Sequence, residues 1–143
     1  MTSSKLVLSL SVRSALFSHA RAGVADGPRE ICGVLAGERG DDVDRVTELH
    51  RVTNTAENPR TAYELDPAET LATIEDVEGR GLDVVGFYHS HPESPAQPSA
   101  TDRARATWVG YVYCIVSPSE DTIRAWRWTG EAFDSLDVVD DGG

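Results

Sequence analysis

Lysine is almost missing from this chain: of 13 basic residues, all but Lys5 are arginine, and they face 24 aspartates and glutamates. The resulting net charge of −11 excludes the basic stripe that a nucleic-acid-binding surface needs. An acidic surface so poor in lysine fits a high-salt cytosol, where screening shortens the Debye length to about 3 Å at 1 M and self-repulsion costs little. Long hydrophobic runs are missing too, and none approaches the roughly 20 residues of a membrane-spanning helix. The first apolar patch is broken by Arg13 and His19, unlike a secretory leader, so the expected compartment is the cytoplasm. Cysteine is scarce. Cys32 and Cys114 belong to no Cys-x-x-Cys pair, which removes structural zinc and thioredoxin-like redox chemistry. Buried thiols are the expectation, with a disulfide between core strands left open. No repeat and no linker interrupts the 143 residues, so one domain spanning 1–143 is expected, ending in an acidic flexible tail from about 137.

What is present alternates between strand and helix patterns. Residues 5–10 read as a first strand. Ser11 is a suitable N-cap for a helix to about Gly23, with Val12, Ala15, Leu16, His19 and Ala20 on one face. The run ICGVLAG (31–37) has the character of a strand buried on both faces, and 43–52 alternates as another. AYEL (62–65) is strand-like. Asp66-Pro67 then sets an N-cap and a first-turn proline for a helix carrying Leu71, Ile74 and Val77 inward. LDVVGFYHSH (82–91) is a strand stopped by Pro92, residues 100–108 look helical, and 111–117, 122–129 and 132–139 supply further strands. The fold class is α/β (α+β mixed), a mixed β-sheet flanked by helices.

The stretch HSHPESPAQPSATD (89–102) carries the chemistry. Side chains two apart on a strand share a face, so His89 and His91 can meet one metal ion from adjacent positions of the pleat. Asp102 is the third ligand candidate. Two neutral histidines and a carboxylate leave Zn²⁺ with one net positive charge and a vacant fourth position, the form catalytic zinc takes. Ser99-x-x-Asp102 also has the form of a capping box. The two roles compete on this reading, because a carboxylate on a metal would not also fold back onto the cap. Pro92, Pro95 and Pro98 stiffen the path returning Asp102 toward the histidines. Other His-x-His chemistries fit worse: there is no His-Glu-x-x-His helix and no Pro-Cys-x-x-Cys deaminase signature. Glu93 stands where a metallo-β-lactamase would want aspartate.

His-Ser-His-Pro, the ten-residue gap to Asp102 and Ser99 three before it together resemble the JAMM motif of MPN+ metalloproteases. Residues 28–37, PREICGVLAG, resemble that family's glutamate-containing segment opening a core strand. The resemblance extends over essentially the whole chain and leaves no motif position substituted. It implies a single JAMM/MPN-type domain holding one Zn²⁺ on His89, His91 and Asp102. Glu30 would be the general base, and Ser99 the donor that stabilises the oxyanion. Similarity is greatest to the small archaeal members, which remove ubiquitin-like small archaeal modifier proteins from target lysines. It implies those modifiers and their conjugates as partners, with neither nucleic acid nor membrane. Three alternatives stand beside it. One is a hydrolase releasing an amino acid from a sulfur-carrier protein, another a non-catalytic MPN-like scaffold. The last, a Cys32 nucleophile, would leave Glu30, Asp102 and the paired histidines unexplained. The terminal Gly142-Gly143 mimics a modifier tail, but a β-grasp modifier is shorter and has no metal site.

Overall fold

The structure, a computed structural model, describes residues 4–25 and 27–141. Strand β1 (Lys5–Leu8) passes into helix α1 (Leu10–Ala25) at Ser9, whose Oγ accepts the Val12 N–H at 3.2 Å. Ser9 rather than the expected Ser11 is thus the cap, because its Oγ takes the orphan N–H of the third helical residue. The helix also runs past Gly23. That glycine marks a close approach instead of a stop: a Cβ there would lie 2.7 Å from the Arg29 carbonyl oxygen and 2.8 Å from Ile31 Cγ2.

The remaining elements are β2 (Cys32–Glu38), β3 (Val43–Val52), α2 (Pro67–Gly79), β4 (Asp83–Ser90), α3 (Ala100–Arg105), β5 (Val112–Ser117), β6 (Thr122–Trp128) and β7 (Phe133–Asp140). The strands order as β1-β3-β2-β4-β5-β6-β7, and a parallel β1–β7 pair closes the mixed sheet into a barrel. Helix α1 packs on β3 and β5, and α2 on β2, β3 and β4. The mixed α/β class read from the sequence is therefore correct, with closure added. Closure also revises the tail, because Asp137 to Asp140 pair with Lys5 to Leu8 inside β7. The backbone bonds of β1 consume this segment, and the Asp141 N–H follows onto Leu8 O at 2.9 Å. The Gly142-Gly143 end lies outside the described residues.

A bulge in β4 decides which way the histidines point. Leu35 pairs with Gly86 but Ala36 pairs with Val84, leaving Val85 as the extra residue. Val85 and Tyr88 consequently join the core under α1 with Leu16, while Val84 and Phe87 join Val77 of α2. His89 follows Phe87 by alternation onto the second side. On the first side, Tyr88 OH shares a 2.8 Å hydrogen bond with His19 Nδ1. Gly33 makes room for that tyrosine, since a Cβ at residue 33 would run into its ring and into the His50 carbonyl.

Three further local readings are corrected. AYEL forms only an isolated bridge, Leu65 to Asn54. Its Ala62 carbonyl and Glu64 N–H are taken by the Asn54 side chain instead of a strand ladder. Leu71 is 58% exposed, because the inward stripe of α2 runs through Thr70 and Val77, with Ile74 half-buried. Helix α3 ends at Arg105, and the Thr107 and Trp108 N–H groups donate to Tyr113 OH at 3.1 and 3.0 Å. Cys32 and Cys114 are both buried and free. Strand β4 lies between their strands, so their Cα atoms are about two strand spacings apart, beyond the roughly 7 Å a disulfide tolerates.

Candidate metal centre and active-site cleft

Four ionisable side chains converge at the end of β4. Glu30, His89, His91 and Asp102 are 5%, 1%, 4% and 8% exposed. Glu30 precedes β2 and is anchored by its N–H to the Pro59 carbonyl at 2.6 Å. His89 lies within β4. His91 stands one residue beyond, where its N–H still continues the ladder onto Val116 O at 3.0 Å. Asp102 is in the first turn of α3. Glu30, His89 and His91 each present a ligand atom within 4.8 Å of the others. Asp102 Oδ2 lies 3.2 Å from His89 Nε2 and 3.1 Å from His91 Nε2.

The protonation of these rings shows what the centre accommodates. His91 Nδ1 sits 2.8 Å from the Pro95 carbonyl, which only accepts, so Nδ1 carries the hydrogen. Nε2 on the other side of the ring faces Asp102 Oδ2 at 3.1 Å, a contact satisfied by a proton on that nitrogen or by a cation between the two. His89 Nε2, 3.2 Å from Asp102 Oδ2, and Glu30 Oε1 have no hydrogen-bond partner among the described residues. Orphaned nitrogen and oxygen atoms aimed at one space fit a divalent ion, and the outer His91 hydrogen bond to a backbone carbonyl is the usual orienting device of a ligand histidine.

The electrostatics follow from burial and from this crowding. Burial pushes the Glu30 carboxyl up to about 8, with His91 opposing and Asp102 assisting. Burial lowers His89 against the pull of Asp102. For His91 burial acts downward, but the Asp102 carboxylate, the Pro95 carbonyl and Glu30 outweigh it and raise the ring above its ordinary value. Burial would raise Asp102, yet both imidazoles and the Ser99 N–H hold it below the usual carboxylate range.

Ser99 and Asp102 close a full capping box: the Ser99 N–H donates to Oδ2 at 2.9 Å and the Asp102 N–H donates to Ser99 Oγ at 3.0 Å. The cap thus forms with the Asp102 carboxylate still turned toward both histidines. A carboxylate has about four lone-pair positions, and Oδ2 accepts the cap while facing both histidines. Ser99 in turn uses only its oxygen in the cap, leaving the hydroxyl hydrogen available. Glu30, His91 and Ser99 line one cleft of about 270 Å³ with Thr61 and Ser94, rimmed by the Arg60–Glu93 ion pair at 2.6 Å. A second cleft of about 320 Å³, lined by Tyr63, Phe87, Arg105, Trp108 and Tyr113, begins at the other flank.

The sequence reading did not find Tyr63, whose ring stacks on His89 with centroids 4.1 Å apart and planes at 18°. Nor did it give Ser90 a role. Ser90 Oγ accepts the Ile31 N–H at 2.9 Å and so ties the segment after Glu30 to β4. No spacing rule signals either contact. Cys32 is excluded as a nucleophile: it is fully buried, and burial first, then Glu30 and Glu69, push its thiol up to about 12.

Residues 9–129 match the family of prokaryotic homologs of the JAB domain, and the chain belongs to that family. A desampylase of Haloferax volcanii is 55% identical over 140 residues, covering 97% of this chain and 99% of that protein. A CysO-cysteine peptidase of Mycobacterium tuberculosis is 37% identical over 125 residues, covering 85% and 82%. The solution structure of a protein from Desulfitobacterium hafniense superposes with a TM-score of 0.85 at 27% identity, covering 96% of this chain and 94% of that one.

Proposed function

We propose that this protein is a zinc-dependent isopeptidase, a desampylase that hydrolyses the bond between the Gly-Gly C-terminus of a ubiquitin-like modifier and a target lysine. The observation that carries the reading is the convergence of Glu30, His89, His91 and Asp102 at the base of a cleft that Glu30, His91 and Ser99 line. The 55% identity to the Haloferax desampylase over nearly the whole chain supports the substrate class. No helix among the described residues is long and apolar enough to cross a membrane, and the free buried thiols suit a reducing cytoplasm.

In this reading His89, His91 and Asp102 hold one Zn²⁺ per chain. When bound, the ion supplies Lewis acidity that makes water nucleophilic near neutral pH and polarises a carbonyl. Glu30 takes the proton of the attacking water and returns it to the lysine nitrogen as the C–N bond breaks, so the products are a modifier carboxylate and a free amine. Ser99 donates its hydroxyl hydrogen to the oxygen that gains charge at the attacked carbonyl. Glu30 suits the base role because its unpartnered Oε1 is buried in the cleft wall. Asp102 suits the ligand role because one oxygen faces both Nε2 atoms while the Ser99 N–H fixes its orientation.

The test combines metal analysis with cleavage of a modifier–lysine conjugate in molar salt. About one zinc per chain is expected, with cleavage lost to a chelator and restored by zinc. Cleavage indifferent to chelation, or stoichiometric metal in a His89→Ala, His91→Ala double variant, would contradict the proposal. The 37% identity to a CysO-cysteine peptidase favours a second reading, release of an amino acid from a carrier protein. A carrier–cysteine conjugate in the same assay separates the two by which substrate turns over.

A further inference from the structure

Asn54 follows β3 and is 8% exposed, and its amide is saturated by main-chain groups. Nδ2 donates to the Glu30 carbonyl at 3.0 Å and to the Ala62 carbonyl at 3.1 Å. Oδ1 accepts the Ala56 and Glu64 N–H groups, both at 3.0 Å. A primary amide has two N–H donors and one oxygen with two lone pairs, so no capacity is left over. The partners come from two places: residue 30 before β2, and the loop between β3 and α2. Tyr63 lies between Ala62 and Glu64, and its ring is the one stacked on His89. The Glu30 N–H closes the frame on Pro59 of the same loop.

We infer that Asn54 is a positioning residue of the reaction, locking the main chain of Glu30 and the ring of Tyr63 into one frame. It touches neither substrate nor metal. It acts at both ends of the site: the carboxylate that handles the proton is fixed by its own backbone, and the plane of His89 is fixed by the aromatic ring stacked on it. Groups that orient ligands from behind typically govern metal affinity or activity by about 10- to 100-fold. The kinetic half of this inference rests on the isopeptidase reading. The metal half does not.

The test uses the full chain with zinc as probe: its Kd by competition with a chromophoric chelator, then kcat and KM on a modifier–lysine conjugate. Tyr63→Leu removes the stacked plane and is expected to weaken zinc about tenfold, whereas Tyr63→Phe keeps the plane and stays near wild type. Asn54→Asp keeps the shape but turns a carboxylate oxygen toward two carbonyls. It is expected to weaken zinc as Tyr63→Leu does and to lower kcat about tenfold or more with KM little changed. Thermal unfolding checks that each variant is folded. A folded Asn54→Asp protein with wild-type zinc affinity and kcat overturns the inference. Should Asn54→Asp fail to fold, the Tyr63 pair decides, and equal zinc affinity in the Leu and Phe variants overturns it. A wild type that binds zinc yet leaves every conjugate intact sinks the isopeptidase reading instead, and the zinc comparison still stands.

Discussion

Ser99 and Asp102 exchange hydrogen bonds, 2.9 Å from the serine N–H to Oδ2 and 3.0 Å from the aspartate N–H to Oγ, and neither residue is used up by the exchange. Asp102 still faces both histidines and Ser99 still has a hydroxyl hydrogen to give. Ser99→Ala should therefore show two losses at once. Loss of the cap should lower stability by about 1 kcal/mol, and loss of the donor should lower turnover by roughly 10²-fold or more. Urea denaturation and steady-state kinetics on one preparation measure both. Normal turnover with lowered stability would reduce Ser99 to a cap.

How much of this was legible beforehand follows from what each signal depends on. His89, His91 and Asp102 were visible because strand alternation and a proline-stiffened return loop are local properties. The strand read over 82–91 is observed as Asp83–Ser90, but the bulge at Val85 arises from pairing with β2, and pairing partners are not written along β4 itself. Residues 137–139 carry two signals, the alternation of a strand and the acidity of a solvated tail; pairing with β1 decides for the strand and extends it to Asp140. Tyr63 and Asn54 are 9 residues apart with no periodicity joining them. Their roles depend on where the loop places Ala62 and Glu64 against one amide, a tertiary fact.

Salt should stabilise the protein. With a net charge of −11, self-repulsion is screened as the Debye length falls from about 10 Å at 0.1 M to about 3 Å at 1 M. The Tm measured in KCl is expected to rise across that range, and isopeptide cleavage to rise with it. A Tm flat between those limits would count against the high-salt adaptation expected from the composition.

His19 gives a defined pH window. Burial, then Arg51, lowers its imidazole to about 4, and its Nδ1 shares a hydrogen bond with Tyr88 OH. The unfolded ring titrates near its ordinary 6.5, so between about 6.5 and 4 the unfolded chain binds a proton that the folded one refuses. Stability from this group is present above 6.5 and is lost as pH falls toward 4, on the order of 3 kcal/mol in all. Buried Glu30 and His91 shift the opposite way, so the difference between wild type and His19→Gln is the quantity to follow by urea unfolding. That difference should shift against the wild type as pH drops through the window. A constant difference would mean that His19 is protonated in the fold.

The most direct measurement of the whole account is the metal content and turnover of Glu30→Gln. Glutamine keeps the shape of the side chain and removes the base. Because His89, His91 and Asp102 are the proposed ligands, zinc should remain at about one per chain while conjugate cleavage falls by at least 10²-fold, the range general acid–base catalysis supplies. Loss of zinc from this variant would make Glu30 a ligand, and cleavage near the wild-type rate would place the base elsewhere; either result contradicts the division of labour proposed for this site.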